Sequence, residues 1–175
     1  MDRHIRGIEH VGVTVPDMKQ AEDFFHAAFG ATVMYRTLEK QEGNVPGYKV
    51  GPVNSLPTDD EIRAISMLRL GNGANIELFE MLMPTRDKAP IITDMGVTHF
   101  SIYVDDLEAI AGRAREAGAT LMEGPADTFA QEGGEGNRNW FLKTPWGSLV
   151  ELITLPSPMT YDSEESPQRV LPIPL

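Results

Sequence analysis

Two stretches of this chain repeat one another, and any fold it adopts must accommodate that doubling. Gly7-Ile8-Glu9-His10-Val11-Gly12-Val13-Thr14-Val15-Pro16-Asp17 returns as Gly96-Val97-Thr98-His99-Phe100-Ser101-Ile102-Tyr103-Val104-Asp105-Asp106. Asn75-Ile76-Glu77-Leu78-Phe79 returns as Leu149-Val150-Glu151-Leu152-Ile153. Each half thus opens on a strand with one histidine and closes on a strand with one glutamate. Two such halves related by a pseudo-twofold axis would gather two imidazoles and two carboxylates, a set that points to a metal site.

Strand side chains alternate between faces. Val11, Val13 and Val15 share one face with Glu9, while Ile8, His10, Gly12 and Thr14 share the other. The valine face suits a helix. The small, polar histidine face suits a cavity wall. On this alternation Glu9 is expected to point away from His10. Pro16 stops the strand and Asp17 is placed as a helix N-cap. Met18, Ala21, Phe24, Phe25, Ala28 and Phe29 follow at helical spacing, and Gly30 is placed to end that helix. The second half repeats the pattern. Phe100, Ile102 and Val104 oppose His99, Ser101 and Tyr103. Asp105 or Asp106 caps a helix with Leu107, Ile110, Ala111 and Ala114 inward, and Gly118 ends it.

Ala64–Leu70 and Asn75–Phe79, joined at Gly71-Asn72-Gly73, read as a hairpin. Asn139–Lys143 and Ser148–Leu155, joined at Thr144-Pro145-Trp146-Gly147, read as its counterpart. The order is β-α-β-β-β twice, an α+β chain. The first module spans residues 1–90 with an insertion at about 41–62, and the second spans 91–156. Residues 157–175 form an extended, proline-rich tail. The Gly-rich stretch around 131–138 reads as a lid or a loose connection.

The chain has 175 residues, 41% hydrophobic and 23% charged, ordinary for a globular domain. No run approaches the length of a membrane helix, and residues 1–6 lack a signal-peptide core. With no cysteine there is no disulfide or thiolate metal site, which fits a cytoplasmic location. A formal charge of −11 argues against nucleic acid as a partner.

The motifs Glu9-His10-Val11-Gly12-Val13, Ile76-Glu77-Leu78, Thr98-His99-Phe100-Ser101 and Pro145-Trp146-Gly147-Ser148-Leu149-Val150-Glu151-Leu152 resemble those of the vicinal oxygen chelate superfamily. Its members include glyoxalase I, methylmalonyl-CoA epimerase, extradiol dioxygenases and bleomycin-binding proteins. The resemblance spans about residues 5–155. It implies two tandem βαβββ modules pairing into an open, curved eight-stranded barrel-like cup. It also implies His10, Glu77, His99 and Glu151 as ligands of one divalent metal ion, Ni, Co, Zn or Mn, or Fe(II) in a dioxygenase. A homodimer is a further implication, with the metal held within one chain or between subunits.

Such a site suits a lyase or isomerase that moves a proton next to a metal-bound carbonyl through an enediolate, with Glu151 or Glu77 as the base. The small-molecule substrate would be a thiol adduct, a CoA thioester or an oxo-acid. Thr14, Asn75, Phe79, Ser101 and Tyr103 are candidates for lining the substrate pocket, and Arg138 for binding an anionic group. Two other activities fit the same fold: an Fe(II)-dependent extradiol-type dioxygenase, and a metal-free small-molecule binding protein. His4, His26, Trp140 and Trp146 are read as surface or packing residues.

Overall fold

The computed structural model describes residues 6–82 and 88–173. They divide into two compact units. Residues 6–26 and 30–82 make the first; residues 88–173, with Ala27–Phe29, make the second. The α+β class and the tandem β-α-β-β-β modules are both present. His4 and the last two residues of the tail lie outside the described residues.

In the first unit, β1 (His10–Val15), α1 (Met18–Phe29), β2 (Thr32–Leu38), β3 (Val45–Pro46), α2 (Gly47–Asn54), β4 (Glu61–Arg69) and β5 (Asn75–Leu82) follow in order. The sheet order is β1-β5-β4-β2, with two-residue β3 beside β4. In the second unit come β6 (His99–Tyr103), α3 (Leu107–Glu116), β7 (Thr120–Leu121), β8 (Ala126–Asp127), β9 (Arg138–Lys143) and β10 (Leu149–Thr154). Their order is β6-β10-β9-β7, with β8 beside β9. Each sheet therefore carries the four expected strands and one short strand besides. In both, the first and last strands of the module lie side by side and parallel.

Alternation decides what each face does. Val13, Val15, Ile76 and Leu78 are buried on the helix side of the first sheet, with Phe24 and Phe25 of α1 also buried. Leu142, Val150 and Leu152 do the same in the second sheet, with Leu107, Ala111 and Ala114 of α3. Burying a leucine or phenylalanine side chain is worth about 1.5–3 kcal/mol, so these residues fix which way every strand faces.

The helix signals act as expected. Asp17 accepts a hydrogen bond from Gln20 N at 2.8 Å, and Gly30 closes α1 in the left-handed region at φ 72°. For α3 the cap is Asp106, accepting from Ala109 N at 2.9 Å.

Glu80, on the helix side of β5, is 1% exposed and takes the Met18 N–H at 2.7 Å. Lys40 Nζ lies 2.8 Å from its Oε2, and Arg63 Nη1 lies 3.3 Å from its Oε1. The register of β4 on β5 shifts between Ile62 and Ala64. Arg63 is the residue left over, and such a bulge re-aims a side chain.

The insertion is more ordered than its Gly, Pro and Asn content indicates. It holds a 3₁₀ turn at Lys40–Glu42, then β3 and α2, with Pro52 inside the helix. Gly47 permits this: a Cβ there would lie 1.8 Å from Pro57 O. The Gly-rich loop is also pinned. Asn137, fully buried, donates to Glu132 O and Ser157 O and accepts from Ser157 N. The tail returns onto that loop through Thr160 N to Gln131 O and Arg169 to Glu132. Among the described residues no helix is long and apolar enough to cross a membrane.

Asp17→Ala should destabilise the protein by about 1 kcal/mol in urea unfolding, whereas Asp17→Asn should cost much less. The Gln20 N–H, then Lys40, holds the Asp17 carboxyl below its ordinary value. Its contribution is therefore complete above the usual carboxylate range and is lost as pH falls through the depressed folded-state value. Glu80→Gln should cost about 2 kcal/mol by the same measurement, because a charge-assisted bond to Met18 and two cation contacts are lost together.

Candidate functional site

The register of β1 on β5 pairs His10 with Asn75, Gly12 with Glu77 and Thr14 with Phe79. That of β6 on β10 pairs His99 with Leu149 and Ser101 with Glu151. In each unit the glutamate thus stands opposite the residue two places after the histidine, on the face away from the helix. The residue opposite the glutamate is small in both cases, glycine in one and serine in the other, and beside Gly12 the Phe79 ring comes within 3.5 Å of where a Cβ would stand.

In the first unit His10 Nε2 lies 3.3 Å from Glu77 Oε2. Its other ring nitrogen, Nδ1, is 2.6 Å from Glu9 Oε2. The expectation that Glu9 points away from His10 is therefore corrected. Regular alternation does not yet apply, because the strand begins at His10, and the Glu9 side chain folds back over the ring. Asn75 Nδ2 donates to Glu9 Oε1 at 2.7 Å, and Asn75 N donates to Glu9 O at 2.9 Å. Asn75, expected to face substrate, spends its amide on Glu9.

In the second unit Glu151 Oε1 accepts from Asn139 Nδ2 at 2.8 Å, which leaves Oε2 for other partners. Asn139 lies on the same sheet face as Phe141, the residue opposite Glu151. The His99 ring meets Phe141 edge-on, with centroids 5.4 Å apart, and its Nδ1 lies 3.4 Å from Thr98 Oγ1. Ser101 and Tyr103 share the His99 face of β6. Thr14 and Phe79 share the His10 and Glu77 face of the first sheet.

Arg138 is placed elsewhere. It sits on β9 one residue out of step with Asn139 and Phe141, so it faces α3, where Nη1 pairs with Glu108 Oε1 at 2.7 Å. The reading of Arg138 as an anion-binding residue treated it as part of a loop; it belongs to a strand and points to the opposite face. Among the described residues no three His, Asp or Glu side chains form a ready-made metal cage.

The donor chemistry around His10 suits a divalent ion. An ionised carboxylate only accepts hydrogen bonds, so the hydrogen shared with Glu9 belongs to Nδ1. The opposite nitrogen then faces Glu77, a second acceptor. Two acceptors face each other stably only with a cation between them, either a proton or a metal ion. Glu9, and after it Glu77, raises the pKa of the His10 ring above its ordinary value. Ligand atoms about 2.0–2.2 Å from a common ion stand about 3–3.5 Å apart, and the 3.3 Å separation of Nε2 and Oε2 falls in that range.

Residues 9–136 match the family model of the Glyoxalase/Bleomycin resistance protein/Dioxygenase superfamily. The chain belongs to that superfamily. Within the superfamily it is similar to a 2-epi-5-epi-valiolone epimerase from an Actinomyces species, with 34% identity over 158 residues covering 90% of this chain and 84% of the relative. Its fold resembles that of a glyoxalase family protein from Bacillus cereus at a TM-score of 0.64, with 21% identity over 88% of this chain and 97% of that one. A glyoxylase/bleomycin resistance protein/dioxygenase domain from Frankia sp. EAN1pec gives 0.60, with 15% identity over 86% and 98%. A mutant glyoxalase I from Zea mays gives 0.57, with 20% identity over 83% of this chain and 43% of the other.

Sequence reasoning overlooked two residues of this superfamily member's candidate site, Glu9 and Asn139. Glu9 was visible as the neighbour of His10, but its direction depends on where the strand starts. Asn139 depends on the β9–β10 register. Asn139→Leu should weaken divalent-ion binding by about 10–100-fold, measured by competition with a chelator, while the thermal midpoint moves little.

Proposed function

We propose that this protein is a divalent-metal-dependent epimerase acting on a carbon next to a ketone, on a substrate of the valiolone type that gives the Actinomyces relative its name. The observation that carries this reading is the histidine–glutamate pair recurring at the same register offset in both units. His10 and Glu77 in one unit, and His99 and Glu151 in the other, each offer an imidazole and a carboxylate to a divalent ion. A bound divalent ion would supply Lewis acidity to the ketone oxygen, making the neighbouring C–H more acidic.

The protein's own residues do the rest. Glu77 or Glu151 would exchange the proton at the acidified carbon, since a carboxylate at ligand distance can both take and return it. Asn139 holds Glu151 Oε1, so the free Oε2 keeps a defined direction. Gly12 and Ser101 stand opposite the two carboxylates in the register. Thr14 and Phe79, and Ser101 and Tyr103, flank them on the same sheet faces. No step consumes an oxidant, which favours an epimerisation over a dioxygenase reaction for a chain related to an epimerase.

Incubating the protein with 2-epi-5-epi-valiolone in D₂O should place deuterium at the carbon beside the ketone, as read by NMR. Glu77→Gln and Glu151→Gln should each slow that exchange by about 10²–10⁴-fold with unchanged circular dichroism. Chelator treatment should stop it, and Mn²⁺, Co²⁺, Ni²⁺ or Zn²⁺ should restore it. Full exchange in both glutamine variants would overturn the assignment of the proton transfer.

A further inference from the structure

The two units do not treat their histidines alike. Before His10 stands Glu9, a carboxylate 2.6 Å from Nδ1; before His99 stands Thr98, a hydroxyl at 3.4 Å. Opposite His10 in the register is Asn75, whose amide and backbone both bond Glu9; opposite His99 is Leu149, which has no polar group. The strand–strand geometry is the same in both units. Only the side chains around the first ring have become a hydrogen-bonded relay.

Resting on the functional reading above, we infer that Glu9 and Asn75 are positioning residues for His10. They lock the hydrogen on Nδ1 and present the bare Nε2, next to Glu77, as a ligand atom for a divalent ion. A neutral imidazole free of constraint prefers its hydrogen on Nε2, the wrong nitrogen for this site. A carboxylate on Nδ1 reverses that preference and fixes the ring plane. A glutamate alone would not hold the geometry, because its side chain is 71% exposed and rotates freely. Asn75 removes that freedom by holding Oε1, which leaves Oε2 for the ring. The relay is a property of the first unit, so His10 is the pre-oriented histidine and His99 is held mainly by packing against Phe141.

The exposure of Glu9 also makes the inference testable without disturbing the core. The measurement is a long-range ¹H–¹⁵N correlation spectrum of the metal-free full-length protein, at a pH where the ring is neutral, with the His10 signals assigned by His10→Gln. Wild type should show the Nδ1–H form. Glu9→Ala and Asn75→Leu should move the ring toward the Nε2–H form, and Glu9→Gln, which still accepts a hydrogen bond, should retain Nδ1–H. Competition titration with Zn²⁺ and Mn²⁺ should show about 10–100-fold weaker binding in Glu9→Ala. A wild-type ring in the Nε2–H form, or a Glu9→Ala variant unchanged in both tautomer and affinity, would overturn the relay. If wild type binds no divalent ion, the functional reading fails, and the metal-free spectra still decide the relay.

Discussion

Everything at the candidate site depends on the parallel pairing of the first strand of each module with its last. β1 lies beside β5 and β6 beside β10, although a helix and at least two strands intervene in the chain. That pairing joins the histidine and the glutamate of each half. The hydrophobic core sets its register: Ile76 and Leu78, like Val150 and Leu152, are buried at 0–2% exposure. A slip of one residue would expose these four side chains and drive Glu77 and Glu151 into the core, a cost far larger than the strand pairing could offset. Glu77 and Glu151 face outward from the core because their neighbours cannot.

A duplicated module starts with two equal half-sites, and the side chains around them show how equality was lost. One half has invested in its histidine, through Glu9 and Asn75. The other has invested in its glutamate, through Asn139. At the corresponding places stand Thr98, whose hydroxyl lies 3.4 Å from His99 Nδ1, and the apolar Leu149 and Ile65. His10 and Glu151 are thereby the oriented members of the two pairs. Glu77 and His99 retain more freedom, which a group that takes and returns a proton, or a ligand that must adjust to different substrates, can use.

Much of this was legible in the sequence, for reasons that differ by element. The two modules announce themselves because period-2 and period-3.6 patterns recur with the same caps, Asp17 with Gly30 and Asp106 with Gly118. His10, Glu77, His99 and Glu151 were visible because the repeat sets one histidine and one glutamate at matching places in each half, and the superfamily resemblance marks those places as ligand positions. Arg138 was misread because its Gly-rich approach hides the start of β9. Glu9 was misread because alternation says nothing about the residue just before a strand. The helix within the 41–62 insertion was not legible because Gly47, Gly51 and Pro52 are poor helix formers. α2 forms there through close backbone packing against Pro57 and Leu56, which no propensity encodes.

Glu77 and Glu80 show most directly how one strand separates stability from chemistry. They lie three residues apart on β5, an odd number, so they face opposite sides of the sheet. Glu80 points into the protein, where the Met18 N–H, Lys40 and Arg63 surround it, and it ties the start of α1 to the sheet. Glu77 points the other way and, among the described residues, meets only the Nε2 edge of His10. It faces the Nε2 of His10, a ring whose other nitrogen, Nδ1, is engaged by Glu9. A carboxylate so placed is short of positive charge, and in a chain with net charge −11 the surroundings do not supply it. The fold thus builds one glutamate as a structural contact and leaves its near neighbour facing a single imidazole, an arrangement that suits the metal-binding and proton-transferring role proposed for it.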